Sequence, residues 1–155
     1  MEPSSGNAAD VLILGAGPAG LQAAQECAEK GLRTVVVEKK KEIGSPIQTS
    51  GATYIPEIRK YGVPDPFCHR VEKIRFLSPG EEARFRNPKG GIGVLDVRGM
   101  LQYMAGQAVA RGCRFTLGAR ALEPIVHQDR VQGAVIQTPR GTRERIPARV
   151  TIDAT

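Results

Sequence analysis

Three glycines near the amino terminus have the spacing of a phosphate-binding turn. They follow the apolar run 11–14 and open an alanine-rich segment, in the order Gly15-Ala16-Gly17-Pro18-Ala19-Gly20. Residues without a Cβ allow a sharp reversal after a strand, room for a pyrophosphate beside the backbone, and close packing of the next helix. The first amides of that helix form an anion site at the positive end of its dipole. The spacing therefore predicts that this turn binds a pyrophosphate.

An acidic residue stands where a dinucleotide-binding unit needs one. The β-branched run 32–37 is typical of a buried parallel strand and ends in Glu38, roughly 20 residues beyond Gly20. A carboxylate there accepts hydrogen bonds from the vicinal hydroxyls of a ribose and repels a 2′-phosphate. We therefore expect FAD or NAD rather than NADP. The alternative is a strand–helix–strand unit that binds nothing, with Glu38 as a solvated strand end.

The elements that position these residues follow a repeated order of helix, glycine and strand. A helix is predicted over 18–30 and is followed by the strand 32–37. An amphipathic helix over about 99–111 and a strand over 113–117 repeat this arrangement. Right-handed crossovers then predict the strand order 3-2-1. The fold class is therefore α/β, with a Rossmann-like parallel sheet.

The remaining segments are rich in short strands. A hairpin around Pro79-Gly80 is expected to lie in a β excursion, over about 67–95, that belongs to a second, incomplete substrate domain. A three-stranded β-meander crossover is predicted over 121–127, 131–138 and 143–146, followed by a separate returning strand over 149–153. We expect residues 1–9 to be a flexible N-terminus and 10–155 to form the dinucleotide-binding domain. Because the chain stops on a strand, we also expect it to be a fragment.

Composition narrows the classes of partner. The net charge of +6 comes from 22 basic and 16 acidic residues in a chain of 155 without tryptophan. The charges are scattered and lack interleaved aromatic residues, so we expect a solvated surface and no nucleic-acid partner. The three cysteines are far apart, which predicts a reduced, cytoplasmic setting and no metal site. No run approaches the roughly 20 apolar residues of a membrane span, so only peripheral membrane contact is expected.

With these residues in view, the chain resembles the N-terminal part of the FAD-dependent oxidoreductases that share the p-hydroxybenzoate hydroxylase fold. Within them it is similar to the geranylgeranyl reductase group. The segments that carry the resemblance span nearly the whole chain after residue 9: the glycine turn 15–20, Glu38-Lys39, 42–47, Asp96-Val97-Arg98, and 148–155. A departure lies at Gln48-Thr49, where geranylgeranyl reductases often have Arg-Cys.

The resemblance implies FAD as the cofactor and assigns residues to it. Gly15, Gly17 and Gly20 would meet the pyrophosphate, and Glu38 would meet the adenosine ribose. Ala16, Pro18, Ala19 and Lys39 are also expected among the cofactor-binding residues. Arg98 would contact the phosphate or ribose region, and Gln48 would lie near the flavin. Asp153 would belong to a second approach of backbone to the dinucleotide. No residue is assigned as a catalytic acid or base.

Two classes of function remain open at this point. The first is a flavin-dependent reductase whose full-length form acts on a small apolar substrate, with an isoprenoid or prenyl lipid as the candidate and NAD(P)H or a ferredoxin-type protein as electron donor. A flavin monooxygenase or halogenase of the same fold is the alternative enzyme. The second class is a nucleotide-binding module without catalysis. We expect the fragment alone to be inactive and to bind FAD weakly.

Overall fold

The structure is a computed structural model that describes residues 8–87 and 91–155. Contacts divide the chain into two units, one formed by the residues up to Ser45 together with Leu101–Thr155, and the other by Pro46–Met100. The predicted excursion over 67–95 falls within Pro46–Met100, apart from 88–90, which lie outside the described residues. Of the predicted flexible segment 1–9, only residues 8 and 9 are described, and Ala9 begins the first strand.

Within residues 8–87 and 91–155, eleven strands and three α-helices follow one another along the chain. In chain order they are β1 (Ala9–Leu14), α1 (Pro18–Glu29), β2 (Thr34–Glu38), β3 (Ala52–Tyr54), α2 (Ile55–Lys60), β4 (Cys68–Arg70), β5 (Lys73–Ser78), β6 (Glu81–Arg86), β7 (Ile92–Leu95), α3 (Val97–Ala110), β8 (Arg114–Leu117), β9 (Arg120–His127), β10 (Arg130–Gln137) and β11 (Arg143–Asp153). A short 3-10 turn over Asp65–Phe67 precedes β4.

The first unit is built on a six-stranded sheet with the order β8-β2-β1-β11-β10-β9. Strands β8, β2, β1 and β11 pair in parallel, and β9, β10 and β11 form an antiparallel meander. The predicted order 3-2-1 plus a returning strand is therefore confirmed, and the structure places the returning strand beside β1. The meander supplies the crossover that brings the chain back to β1.

The returning strand differs from the prediction. The sequence indicated separate strands over 143–146 and 149–153, whereas β11 is one continuous strand that changes partner at Pro147. Its first part pairs antiparallel with β10 as far as Pro147, and from Ala148 onward it pairs parallel with β1. Proline is normally a strand breaker because it lacks an N–H, but here it lies where the strand changes partner. The prediction of two strands was therefore wrong.

Apolar side chains of β1 and β2 form the core of this sheet. Leu12, Ile13 and Val36 are fully buried, and every residue of β2 is buried. Strands covered on both faces need such continuous apolar runs, and each large apolar side chain that is fully buried contributes about 1.5–3 kcal/mol. Small residues of α1, among them Ala24 and Ala28, are buried in the same unit.

The second unit contains two small antiparallel sheets. One has the order β3-β7-β4, and the other is the hairpin β5–β6. The hairpin confirms the sequence prediction. Strands β3 and β4 were not predicted, because three residues are too few to show alternation. No helix in the described part of the chain is long and apolar enough to cross a membrane.

Candidate dinucleotide site

The carboxyl ends of β1, β2 and β11 meet beside the glycine turn. Leu14 lies in register with Val37 on one side and with Asp153 on the other. The N–H of Gly15 donates to the carbonyl of Val37 at 2.8 Å, and the N–H of Ala154 donates to the carbonyl of Leu14 at 2.8 Å. The fold thus places residues distant in sequence at one sheet edge, where open α/β sheets bind ligands.

Two of the three glycines are required by the fold itself. Gly15 has a φ of +101°, and a Cβ at this position would lie 2.5 Å from the carbonyl oxygen of Ala154. A Cβ on Gly20 would overlap the carbonyl oxygen of Gly15. These glycines let β1, α1 and the end of β11 approach one another closely, as the spacing predicted.

Gly17 differs from both of them. Its φ of −75° is open to any residue, and it is the N-cap of α1. A Cβ added to Gly17 would meet no atom within 4 Å. The fold therefore does not need a glycine at this position. The open space beside its backbone is what an approaching pyrophosphate would use.

The first turn of α1 presents unpaired amides next to this space. Pro18 begins the helix, and the N–H of Leu21 donates to the carbonyl of Gly17 at 2.9 Å. The preceding amides of Ala19 and Gly20 have no acceptor within the helix, as at every helix start. No side-chain oxygen caps this helix, and its first turn has no acidic residue. Its partial positive charge is therefore available to an anion.

Glu38 ends β2 and is connected to the glycine turn. Its Oε2 accepts a hydrogen bond from the N–H of Ala16 at 2.7 Å, and its Oε1 accepts one from the N–H of Lys40 at 2.8 Å. Only 8% of Glu38 is exposed. A carboxylate has about four acceptor positions, so two of them stay free for the hydroxyls of a ribose. Lys39 beside it is exposed.

Asp153 is the third predicted site residue at this edge. Its Oδ1 accepts hydrogen bonds from the Thr155 hydroxyl at 2.9 Å and from the Thr155 N–H at 3.1 Å. These two bonds lower the pKa of Asp153, so it is a carboxylate at neutral pH. The structure therefore brings Asp153 and the glycine turn to the same edge of the sheet.

Gln48 and Arg98 belong to the second unit, and their contacts with a cofactor stay predictions. Gln48 is exposed, and Arg98 is the second residue of α3. Asp96, directly before α3, has a role that sequence reasoning missed. Its Oδ1 accepts a hydrogen bond from the N–H of Gly99 at 2.9 Å and so caps the helix. An aspartate directly before a helix is a signal that could have identified this cap.

In the ranges 8–87 and 91–155, no group of three or more histidine, cysteine or acidic side chains could hold a metal ion. Burial raises the pKa of Cys27, and burial raises the pKa of Cys113 to about 11. Both thiols are therefore poor nucleophiles at neutral pH.

Comparisons with known proteins agree with this geometry. The sequence model of the family described as FAD dependent oxidoreductase matches residues 10–155. A digeranylgeranylglycerophospholipid reductase of Methanosphaerula palustris is 32% identical over 94% of this chain, which covers 38% of that relative. The corresponding reductase of Methanosarcina acetivorans is 31% identical, again over 94% of this chain and 37% of its own length. The chain thus spans less than two fifths of either relative.

Solved structures show the same fold. A geranylgeranyl bacteriochlorophyll reductase-like protein from Thermoplasma acidophilum matches 96% of this chain and 39% of its own, with a TM-score of 0.79 and 27% identity. A myxobacterial chondrochloren halogenase, described as a variant of FAD-dependent halogenases, matches 96% of this chain and 37% of its own, with a TM-score of 0.69 and 17% identity. The second likeness concerns the fold alone.

The residues at the sheet edge fit the adenosine end of FAD. Open space at Gly17 and uncapped amides suit a pyrophosphate, and the free acceptor positions of Glu38 suit an unphosphorylated ribose. From the match over residues 10–155, the chain belongs to the FAD-dependent oxidoreductase family.

Proposed function

We propose that this chain is the FAD-binding part of a flavin-dependent reductase that acts on an apolar isoprenoid lipid. The observation that carries the proposal is the glycine turn, with open space at Gly17 and a hydrogen bond between Ala16 and Glu38. The relatives named as digeranylgeranylglycerophospholipid reductases support the substrate class. The halogenase likeness, at 17% identity, does not favour halogenation or oxygenation over reduction.

In this proposal the chain holds the cofactor and orients it. Gly15, Gly17 and Gly20 form the turn, and the amides of Ala19 and Gly20 attract the pyrophosphate. Glu38 accepts hydrogen bonds from the ribose hydroxyls and disfavours a 2′-phosphate. When bound, FAD supplies hydride and electron transfer through its isoalloxazine ring.

The remaining predicted residues are proposed as secondary contacts. Lys39 and Arg98 add positive charge near the phosphate or ribose region, Gln48 lies near the flavin, and Asp153 supports the second approach of backbone to the dinucleotide. The excursion over about 67–95 is proposed as part of the substrate domain. We also propose NAD(P)H or a ferredoxin-type protein as electron donor, and a cytoplasmic enzyme with peripheral membrane contact.

Flavin binding by the purified chain is the first test. The chain is titrated with FAD, and binding is followed at equilibrium by the absorption and fluorescence of the flavin, since the weak binding expected of the fragment would be lost if free cofactor were removed. Saturable changes in the flavin spectrum that ADP reverses by competition support the proposal. ADP binding without any change in the flavin spectrum would instead support a nucleotide-binding module without catalysis.

Activity is best tested in a hybrid protein. The chain replaces the corresponding segment of the Methanosphaerula palustris reductase, which it matches over 38% of that protein's length. The hybrid is reduced and supplied with a geranylgeranyl-bearing phospholipid, and mass spectrometry counts the hydrogens added to each lipid. Saturation of the prenyl chains without oxygen consumption supports a reductase. Oxygen consumption with a hydroxylated or halogenated product would support the alternative enzymes.

A further inference from the structure

The hairpin β5–β6 places like charges directly opposite one another. Lys73 is paired with Arg86 across the two strands, and Arg75 is paired with Arg84. Like charges in such cross-strand positions destabilise a sheet, because their side chains are close neighbours on the same face. Two successive basic pairs therefore need a reason beyond the stability of the hairpin.

These four basic residues lie on one face of the hairpin. Side chains alternate between faces along a strand, so the apolar Ile74, Phe76 and Phe85 occupy the other face. The Phe76 and Phe85 rings are in edge-to-face contact, with centroids 5.6 Å apart. Over residues 73–76 and 83–86, one face of the hairpin is thus basic and the other is apolar.

Most of the positive charge on the basic face is not neutralised. Arg84 forms an ion pair with Glu82. In the ranges 8–87 and 91–155, Lys73, Arg75 and Arg86 form no ion pair, and all three are exposed. The face therefore carries a net positive charge, which favours an anionic ligand.

A cleft opens at the end of this face. Its volume is about 350 Å³, and its lining residues are Arg70, Glu72, Lys73, Arg86 and Asn87. Three cations and one carboxylate give the lining a net positive charge. The Asn87 side chain donates to the carbonyl of Val71 at 2.9 Å, and its backbone N–H donates to the carbonyl of Glu72 at 2.8 Å. These bonds hold the β6 end of the cleft against the segment that leads into β5.

We propose that this cleft binds a phosphate group, with Arg70, Lys73 and Arg86 as its cationic contacts. A doubly charged anion between Lys73 and Arg86 turns their repulsion into attraction. The planar guanidinium groups can each donate two hydrogen bonds to phosphate oxygens. All of these residues lie within the second unit, so the site does not depend on the glycine turn or on FAD.

The test is a titration of the ¹⁵N-labelled chain with inorganic phosphate, followed by NMR at constant ionic strength. Saturable shifts are expected at the amides of 70–75 and 84–87. The variant carrying Lys73→Gln and Arg86→Gln should lose at least tenfold in phosphate affinity at these amides. The matched control carries Arg143→Gln and Arg145→Gln, which remove the same charge from exposed positions of β11 and should leave the affinity unchanged.

The outcomes separate a site from general charge attraction. Equal loss of affinity in both double variants, or the same shifts when chloride replaces phosphate at the same ionic strength, would overturn the proposal. Shifts confined to residues 15–20 would also overturn it, since they would assign phosphate to the glycine turn alone. If the first double variant fails to fold, Lys73→Gln alone and the wild-type shift map decide the same question.

A second pair of probes distinguishes the source of the phosphate. Glycerol 3-phosphate tests a free phosphate ester, and phosphatidylcholine vesicles with or without phosphatidic acid test a lipid headgroup. If the chain sediments with phosphatidic acid vesicles, and the variant carrying Lys73→Gln and Arg86→Gln does not, the bound phosphate is that of a lipid headgroup. If only glycerol 3-phosphate binds, the ligand is a soluble phosphate ester. Binding of neither probe would overturn the proposal. ADP affinity, measured on the same variants, should stay unchanged, so failure here is distinct from failure of FAD binding.

Discussion

The carboxylate of Glu38 accepts a hydrogen bond from the backbone N–H of Ala16 at 2.7 Å, across 22 positions of sequence. The second oxygen of the same carboxylate accepts from the N–H of Lys40 at 2.8 Å. The residue that sequence reasoning assigned to a sugar therefore also connects the end of β2 to the phosphate-binding turn. Both contacts join residues of this chain, so they fix the position of the turn relative to the end of β2.

Glu38→Gln should therefore weaken both the fold and nucleotide binding. A carboxamide has one oxygen, so one of the two amides would face an NH₂ group and lose its acceptor. Leaving a buried donor unsatisfied costs about 1–3 kcal/mol. We expect a loss of that size in the free energy of unfolding, measured by urea denaturation. We also expect at least a tenfold loss in ADP affinity, measured by calorimetry.

Glu123→Gln is the matched control, since Glu123 is exposed on β9 and the substitution removes the same charge. It should change neither quantity. If Glu38→Gln left the unfolding curve and the ADP affinity as in the wild type, the hydrogen bond between Glu38 and Ala16 would contribute nothing to stability or binding.

Gly17 and Gly20 should respond differently to alanine. A Cβ on Gly17 meets no atom within 4 Å, so Gly17→Ala should cost less than about 1 kcal/mol of stability while lowering ADP affinity more than tenfold. A Cβ on Gly20 overlaps the carbonyl of Gly15, so Gly20→Ala should cost about 2 kcal/mol or more. Thermal unfolding and calorimetry with ADP measure both effects. Unchanged ADP binding in Gly17→Ala would mean that the pyrophosphate lies elsewhere.

The parallel part of the sheet could be predicted because its signals are local. The glycine spacing, the β-branched run 32–37 and the glycine at 112, after the helix predicted over about 99–111, each indicate one element by its own chemistry. The right-handed crossover rule then determines the strand order without knowledge of any contact. The position of Glu38 followed from the same strand, since it is the first polar residue after a continuous apolar run.

Other features depend on partners that are distant in sequence. Pro147 led to the prediction of two separate strands. No nearby residue shows that β11 changes its pairing partner there from β10 to β1. Strands β3 and β4 owe their existence to pairing with β7 rather than to any pattern of their own. The hydrogen bond from the N–H of Ala16 to Glu38 was missed for the same reason. The type of a residue does not show what its backbone N–H donates to.

The meander offers a test of a glycine that sequence reasoning did not single out. Gly133 lies opposite Pro147 with a φ of +123°, and a Cβ there would overlap the carbonyl of Ile146. Gly141 also has a positive φ, of +84°, but open space around it. Gly141→Ala should cost about 1–2 kcal/mol from backbone strain alone. Gly133→Ala should cost at least about 2 kcal/mol more in urea denaturation, and equal costs would show that the strand relaxes around the added methyl.

The cysteines should differ in their reactivity toward iodoacetamide. Cys113 is 4% exposed, and burial raises its pKa to about 11, so roughly one thiol in a thousand is ionised at pH 8. Cys68 in the second unit is only half-buried. In native buffer, peptide mass spectrometry after timed labelling should find Cys68 modified and Cys113 unmodified. Cys113 should be modified only in urea. Labelling of both at one rate in native buffer would show that the segment before β8 opens readily.

Asp10 should make stability depend on pH at the amino ends of β1 and β2. Its carboxylate accepts two hydrogen bonds from the Arg33 side chain, each at 3.1 Å, and one from the Arg33 N–H at 3.0 Å. These bonds lower the pKa of Asp10 from 3.8 to about 2. Because the folded pKa is below the unfolded one, the stabilisation is complete above the unfolded value and is lost as the pH falls toward the folded value.

The free-energy difference between wild type and Asp10→Asn should therefore be constant above about pH 5 and shrink between about pH 4 and pH 2. Urea denaturation at a series of pH values measures it. When Asp10→Asn is made in the Arg33→Gln variant, the difference in unfolding free energy from Arg33→Gln alone should vary much less over this pH range. The reason is that the partner that lowers the pKa of Asp10 is gone. A difference that stays constant down to pH 2, or one that grows as the pH falls, would contradict the role given to this pair.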